Sequence, residues 1–93
     1  MTSNNIQMHV LISGIVQGVF FRAETQKKAN ENNVTGWVQN LDNGSVEAVL
    51  EGEKDNVNKV VEWCNQGPDP AFVSNVDTKE LSPLSNFDKF EIK

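Results

Sequence analysis

The sequence predicts an α+β fold in which two helices pack on one face of a mainly antiparallel sheet. Apolar residues alternate at period two in several segments, recur at helical spacing in two others, and are separated by turn residues. The predicted order is β-α-β-β-α-β, followed by a fifth strand at the C-terminal end. Packing both helices on one face buries every apolar face, which gives a ferredoxin-like α/β sandwich.

The first strand and the first helix flank a glycine-containing stretch. Residues 7–13 alternate as a strand, with His9 on the face opposite the apolar residues. Because His9 lies well before the end of this strand, we interpret it as a surface residue. Residues 21–33 repeat apolar positions every fourth residue, which predicts a modest amphipathic helix. The core-facing residues of the two elements are Met8, Val10, Ile12, Phe21, Thr25 and Ala29.

The middle of the chain predicts a β-hairpin. Residues 34–41 and 45–51 both alternate, and Asp42-Asn43-Gly44 between them favours the positive φ angles of a short turn. We expect the two strands to pair antiparallel. Their inward faces comprise Val34, Gly36, Val38, Asn40, Val46, Ala48 and Leu50. We interpret the acidic residues here as a solvated face and not a metal site; they are Glu47, Glu51, Glu53 and Asp55.

The second half of the chain predicts a helix and two strands. We expect Asp55 or Asn56 to cap the helix and Gly67-Pro68 to end it. The helix has an apolar stripe of Val57, Val60, Val61 and Cys64. The segments that follow are a polar edge strand, a turn and a closing strand, at residues 73–81, 82–85 and 87–92.

Composition limits the classes of protein that fit. A chain of 93 residues makes one domain, 1–93, in which we expect residues 1–6 to form a flexible polar tail. No apolar run approaches the ~20 residues of a membrane span, and the polar start does not resemble a secretory signal. The net charge of −5 argues against nucleic-acid and anionic-membrane binding. The missing span and signal predict a cytoplasmic location, and we also expect the protein to be a monomer.

The single cysteine and the two tryptophans are interpreted as packing residues. Cys64 cannot form an internal disulfide or a zinc site by itself. Its place on the apolar stripe predicts a buried thiol. Trp37 is expected to pack on the sheet, and Trp63 to flank the stripe of the second helix.

The stretch Gly14-Ile15-Val16-Gln17-Gly18-Val19-Phe20-Phe21-Arg22 joins the first strand to the first helix. Its glycines permit positive φ angles, so backbone amides can point at an anion, and the helix N-terminus adds partial positive charge. Arg22 is the only arginine, and its planar guanidinium suits a pair of phosphate oxygens. These features predict a phosphate-binding loop. A tight β-to-α connection followed by a surface arginine is the structural alternative.

Nucleotide sites fit this loop poorly. No Lys-Ser/Thr pair follows the second glycine, as an ATP-binding P-loop requires, and the glycine spacing differs from the dinucleotide fingerprint. The predicted site would therefore hold a small phosphoryl group. Because the net charge is negative, its attraction for an anion must come from the local amides and Arg22.

Two stretches together resemble the signatures of the acylphosphatase family. The loop stretch ending at Arg22 resembles the first signature. The second signature is similar to residues in and just after the predicted hairpin, namely Gly36-Trp37-Val38-Gln39-Asn40 with Gly44-Ser45-Val46 and Gly52. Both motifs lie in roughly the first half of the chain. The resemblance implies a small cytosolic enzyme that hydrolyses acyl phosphates to a carboxylate and inorganic phosphate, without a metal or organic cofactor.

The resemblance also implies roles for individual residues. Arg22 would bind the phosphoryl group with the loop amides, and Asn40 would hold the attacking water. The loop residues concerned are Val16, Gln17, Gly18, Val19, Phe20 and Phe21. A carboxylate leaving group needs little protonation, so the reaction demands mainly positioning and charge stabilisation. Since the sequence places no acid or histidine as a base, we hypothesise that a substrate phosphate oxygen takes the proton of the water.

Other functions remain as alternatives. The chief one is a non-catalytic phosphoryl-binding module on the same fold, including a domain that has lost turnover. An RNA-binding sheet would need exposed aromatics with basic neighbours, and a soft-metal carrier would need a second cysteine near Cys64. Apart from the resemblance, Asn40 could simply cap the hairpin turn.

Overall fold

The computed structural model describes residues 4–93, which form a five-stranded sheet with two helices on one face. The predicted element order and the ferredoxin-like architecture are confirmed. The elements are β1 (Asn5–Ile15), α1 (Phe21–Glu31), β2 (Thr35–Asn40), β3 (Val46–Glu53), α2 (Lys54–Cys64), β4 (Phe72–Leu81) and β5 (Phe90–Ile92).

The order of strands across the sheet is β4-β1-β3-β2-β5. β3 pairs antiparallel with both β1 and β2, so β1 and β2 run in the same direction on either side of it. Val46 of β3 faces Ile12 on one side and Asn40 on the other. The C-terminal ends of β1 and β2 therefore lie at the same end of the sheet, on either side of the start of β3. β5 pairs parallel with β2, and β4 is an edge strand as predicted.

The core lies between the sheet and the two helices. Its fully buried side chains come from the inward strand faces and from the helical stripes that the sequence pattern predicts. Cys64 is completely buried, and Trp63 packs against Phe21 with ring centroids 5.4 Å apart. The largest of the fully buried side chains are Phe21, Ile12, Leu50, Val10, Val16, Val34, Val38, Val46, Val57 and Val60.

The face of the sheet away from the helices differs from the prediction at Glu51. This carboxylate is only 5% exposed, so its assignment to a solvated surface is wrong. It accepts hydrogen bonds from the side chain of Gln7 and from the amides of Ser85 and Phe87, at 2.8, 2.8 and 3.3 Å. The connection between β4 and β5 covers it. The predicted closing strand of residues 87–92 is too long: β5 comprises only Phe90–Ile92, and the Phe87 amide bonds to Glu51 instead.

Two local predictions are also corrected. A flexible tail over residues 1–6 is wrong for Asn5 and Ile6, which belong to β1; the first three residues lie outside the described part of the chain. Neither Asp55 nor Asn56 caps α2, since this helix follows directly from β3 and begins at Lys54. The Lys54 amide donates instead to the carbonyl of Asn4 at 3.0 Å.

Both helices are 11 residues long. Within residues 4–93 no helix has the length and apolar character needed to cross a membrane.

Candidate active site

The loop between β1 and α1 begins at a bulge in β1. The register of β1 against β4 shifts between Ser13 and Gly14, where Gly14 has a φ of 127°. A Cβ at this position would overlap the carbonyl oxygen of Phe72, so the strand edges approach as closely as they do only because residue 14 is glycine. Gly18 also has a positive φ, 73°, at the turn of the loop.

The loop ends at the first turn of α1. Phe20 precedes the helix in the left-handed conformation, with φ 67° and ψ 20°. The amide of Glu24 donates to the Phe20 carbonyl at 3.0 Å, so the amides of the three residues before Glu24 have no acceptor within the helix. These amides and the helix dipole make the end of the loop a favourable position for an anion.

A cavity of about 270 Å³ lies at this end of the sheet. The loop, the start of α1, the end of β2 and the end of β5 all contribute to it. It is lined by Val16, Gly18, Phe20, Phe21, Arg22, Ala23, Asn40 and Ile92. The structure therefore brings Arg22 and Asn40, which are 18 positions apart in the sequence, to the same cavity as the loop.

Arg22 bonds to the residue that follows the last strand. Its Nη1 donates to the backbone oxygen of Lys93 at 2.9 Å. The amide of Lys93 in turn donates to Val38 of β2 at 2.8 Å, so β2 supports the position of the acceptor. A guanidinium has five N–H donors, so this bond leaves others for a ligand.

Asn40 is the last residue of β2 and is exposed. Within residues 4–93 its side-chain amide has no hydrogen-bond partner. The asparagine that closes the hairpin is Asn43, whose Oδ1 accepts from the Ser45 amide at 3.0 Å. The sequence alternative of a capping role for Asn40 is therefore wrong.

Gln17 joins the loop to the hairpin. Its Nε2 donates to the carbonyl oxygens of Leu41 and Ser45 at 2.7 and 2.9 Å. These two residues flank the turn that follows Asn40. The sequence identified Gln17 only as one of the loop amides, and nothing in its spacing indicated what its side chain would contact.

Not all of the predicted loop residues line the cavity around Arg22. Gln17 and Val19 are not part of the lining around Arg22. Val19 lies on the other side of Phe20, in a second cavity with Trp63 and Pro68. Ile92 joins the first cavity because β5 pairs with β2, and the sequence contained no signal for this long-range pairing.

No Asp, Glu, His, Lys or Cys is among the described residues that line this cavity. Burial raises the pKa of the Cys64 thiol to about 12, which makes it an unreactive core group. Glu47 is on the open sheet face, where its hydrogen bond with His9 lowers the pKa of the carboxyl. Nowhere in residues 4–93 do three or more His, Cys, Asp or Glu side chains gather as a metal site would require.

Comparison with known proteins identifies the family. The acylphosphatase family model matches residues 8–92. An acylphosphatase from Syntrophus aciditrophicus is 50% identical over 86 residues, covering 92% of this chain and 90% of the relative. Another, from Haloquadratum walsbyi, is 45% identical and covers 100% of this chain and 99% of the relative.

A solved structure has the same fold. The acylphosphatase from Coxiella burnetii superimposes with a TM-score of 0.92 at 44% identity, covering 97% of this chain and 94% of the other. The sheet with two helices on one face, and the glycine-containing loop between β1 and α1, place the chain in the class of ferredoxin-like α+β domains. Within that class, the chain belongs to the acylphosphatase family. It is an enzyme that hydrolyses the carboxyl–phosphate bond of acyl phosphates.

Proposed function

We propose that Arg22 and the loop amides bind the phosphoryl group of the acyl phosphate, and that Asn40 positions the water that attacks it. The observation that carries this proposal is the shared cavity, which Arg22 and Asn40 line together with the loop. The amides concerned are those of Val16, Gln17, Gly18, Val19, Phe20 and Phe21.

Local charge supports phosphoryl binding at this position. Among the described residues that line the cavity, Arg22 has the one charged side chain, and the first turn of α1 directs amides without helical acceptors to the same end of the sheet. The net charge of −5 repels an anion at long range, so these groups must provide the attraction. A planar guanidinium can bind two phosphate oxygens at once, which also orients the group.

The chemistry of the amide side chain supports the role of Asn40. One amide both donates and accepts hydrogen bonds, so it can hold a water with a lone pair directed at phosphorus. A carboxylate at this position would repel the anionic substrate. Its amide is also free of protein partners within the described residues, so binding a water breaks no existing bond.

The reaction requires no protein acid or base. The water oxygen forms a bond to phosphorus, the bond to the carboxylate oxygen breaks, and the carboxylate leaves with the electron pair. The proton of the water passes to a phosphate oxygen of the substrate. Consistent with this, no Asp, Glu or His is among the described residues that line the cavity. Arg22 and the amides stabilise the charge on the equatorial oxygens.

The decisive test is hydrolysis of benzoyl phosphate by the wild type, Arg22→Ala and Asn40→Ala, with EDTA present throughout. We expect rapid wild-type turnover that EDTA leaves unchanged, as a cofactor-free reaction requires. Arg22→Ala should lose both turnover and inhibition by inorganic phosphate, whereas Asn40→Ala should lose turnover alone. Loss of phosphate inhibition in Asn40→Ala would mean that this residue is structural, and a metal requirement would overturn the mechanism.

The same experiment addresses the non-catalytic alternative, which the family membership does not favour. Folded wild type that binds phosphate without hydrolysing benzoyl phosphate would support a binding module instead. We further propose that residues 1–93 act as a single, monomeric domain in the cytoplasm. Sedimentation and cell fractionation test these two points.

A further inference from the structure

Phe20 is exposed in a conformation that is unfavourable for its residue type. Its φ of 67° lies in the left-handed region, where a bulky side chain is a genuine outlier, and its side chain is 75% exposed. The adjacent Phe21 is only 1% exposed and packs in the core. Glycine would adopt the same backbone conformation without strain. Strained residues of this kind are concentrated at functional sites.

Ile92 is a second exposed apolar side chain on the same cavity. It is 41% exposed at the end of β5, and it lines the cavity with Phe20, Arg22 and Asn40. The cavity volume of 270 Å³ is about nine times the ~30 Å³ that one water takes in the liquid. A phosphoryl group, with one phosphorus and three oxygen atoms, therefore fills only part of it. The remaining space has apolar walls at Phe20 and Ile92.

We propose that Phe20 and Ile92 bind the acyl group of the substrate, and that they select uncharged apolar acyl groups. This inference rests on the proposed function, because it places the phosphoryl group beside Arg22. The acyl carbon is joined to phosphorus through one oxygen, so the acyl group lies beside the phosphoryl group, where Phe20 and Ile92 form walls of the same cavity. An acyl group with a second carboxylate would meet no other cation among the described lining residues, since Arg22 holds the phosphoryl group.

The second cavity beside Phe20 does not suit this role. It is larger, about 460 Å³, but its lining includes Glu24, Lys28 and Asp69. Arg22 and Asn40 do not line it, so an acyl group placed there would lie outside the cavity that holds the proposed phosphoryl site. Phe20 lines both cavities, whereas Ile92 lines only the first. The two residues together therefore identify the cavity that is used.

The test compares three substrates: benzoyl phosphate, acetyl phosphate and succinyl phosphate. We expect the wild type to prefer benzoyl phosphate by kcat/KM and to hydrolyse succinyl phosphate least. Phe20→Ala and Ile92→Ala should each lower the ratio of kcat/KM for benzoyl over acetyl phosphate by about tenfold. Inhibition by inorganic phosphate should be unchanged in both variants, because alanine keeps the backbone amide at position 20 and phosphate does not contact the two side chains that are removed.

Two variants serve as controls. Phe72→Ala removes a phenyl group that is 63% exposed but does not line the first cavity. Lys28→Ala alters the second cavity alone. Both should keep the wild-type substrate ratio. A fall in the ratio for Lys28→Ala equal to that for Phe20→Ala would assign the acyl group to the second cavity and overturn the inference.

The remaining outcomes separate this inference from the proposed function. Wild-type ratios in both Phe20→Ala and Ile92→Ala, with turnover intact, would overturn the acyl site and leave the roles of Arg22 and Asn40 standing. An equal loss for all substrates, with weaker phosphate inhibition, would mean that Phe20 acts only on the loop. No wild-type hydrolysis of any of the three would contradict the proposed function, and this inference with it.

Discussion

Arg22 reaches the cavity with one of its donors already occupied by the backbone oxygen of Lys93. That bond restrains the guanidinium before any ligand arrives, which is expected to lower the entropy lost when a phosphoryl group binds. A lysine could provide the charge but not the planar arrangement of donors. The geometry of Arg22, and not its charge alone, is therefore expected to matter.

This expectation can be tested with Arg22→Lys. Losing the second donor to the transferring phosphoryl group should lower kcat/KM for benzoyl phosphate by about 10²-fold or more. The control is Lys27→Arg, which makes the reverse exchange at an exposed position of α1. It should leave kcat/KM unchanged. Retention of activity within about threefold would show that positive charge suffices at this position.

At the scale of the elements, Gln17 links the loop to the β2–β3 hairpin. Its two hydrogen bonds to the turn backbone set the distance between the proposed phosphoryl-binding loop and Asn40. Catalysis by positioning is sensitive to such distances, because a shift of about 1 Å can cost ~10²-fold in rate. We interpret Gln17 as a positioning residue.

We expect Gln17→Ala to lower kcat more than it weakens phosphate inhibition, because the loop amides remain while the hairpin is released. A decrease of about tenfold is anticipated, and Gln17→Glu should not restore the rate, since a carboxylate cannot donate to the two carbonyls. Gln66→Ala, at an exposed glutamine, is the matched control. Equal losses of turnover and phosphate binding would indicate that Gln17 merely holds the loop folded.

The open face of the sheet carries a polar group that joins three strands. Glu47 of β3 bonds to His9 of β1 at 2.8 Å and to Gln39 of β2 at 2.7 Å. The hydrogen bond with His9, followed by that with Gln39, lowers the pKa of Glu47 from 4.5, and partial burial opposes the shift. A carboxyl whose pKa is lower in the folded state stabilises the fold at pH values above its unfolded pKa.

The stabilisation by Glu47 should therefore be complete above about pH 4.5 and disappear as the pH falls through its lower folded value. The measurement is the free energy of unfolding in urea from pH 6 to pH 3, for wild type and Glu47→Gln. The difference between them should shrink on the acid side. Glu62→Gln, at an exposed helix position, should have the same pH dependence of the free energy of unfolding as the wild type. A difference that is constant across this range would contradict the linkage.

At the scale of the whole molecule, Glu51 joins the connection between β4 and β5 to the sheet. Its carboxylate accepts from Ser85 and Phe87, and so holds the connection that leads to β5. β5 then pairs parallel with β2, which brings Ile92 to the cavity and the backbone oxygen of Lys93 to Arg22. We therefore expect this buried group on one face of the sheet to help position residues at the site.

Glu51→Gln should lower the free energy of unfolding by about 1–3 kcal/mol, because an amide NH₂ would face a donor that now meets a carboxylate oxygen. Chemical denaturation followed by tryptophan fluorescence measures the change. Glu80→Gln, at an exposed position on β4, should lie within about 0.5 kcal/mol of the wild type. If both variants are equally stable, the buried carboxylate is not important for holding the connection.

Much of the fold was accessible from the sequence because its signals are local. Alternation, helical spacing and turn residues act within ten or so positions, so they predicted every element and the β2–β3 hairpin. Errors occurred where distant groups met. Asp55 was not needed as a cap because Asn4 accepts from the Lys54 amide, and Glu51 is buried because residues 85 and 87 fold back over it.

The candidate site divides in the same way. The loop and the identities of Arg22 and Asn40 were determined by the sequence, as was the resemblance that links them. The sequence did not show whether the C-terminal ends of β1 and β2 lie together. They do, because β3 lies between the two strands and pairs antiparallel with both. The tertiary structure alone brought Ile92, Lys93 and the side chain of Gln17 to this region. The physical reason is that strand neighbours depend on the packing of the whole chain, which no local pattern encodes.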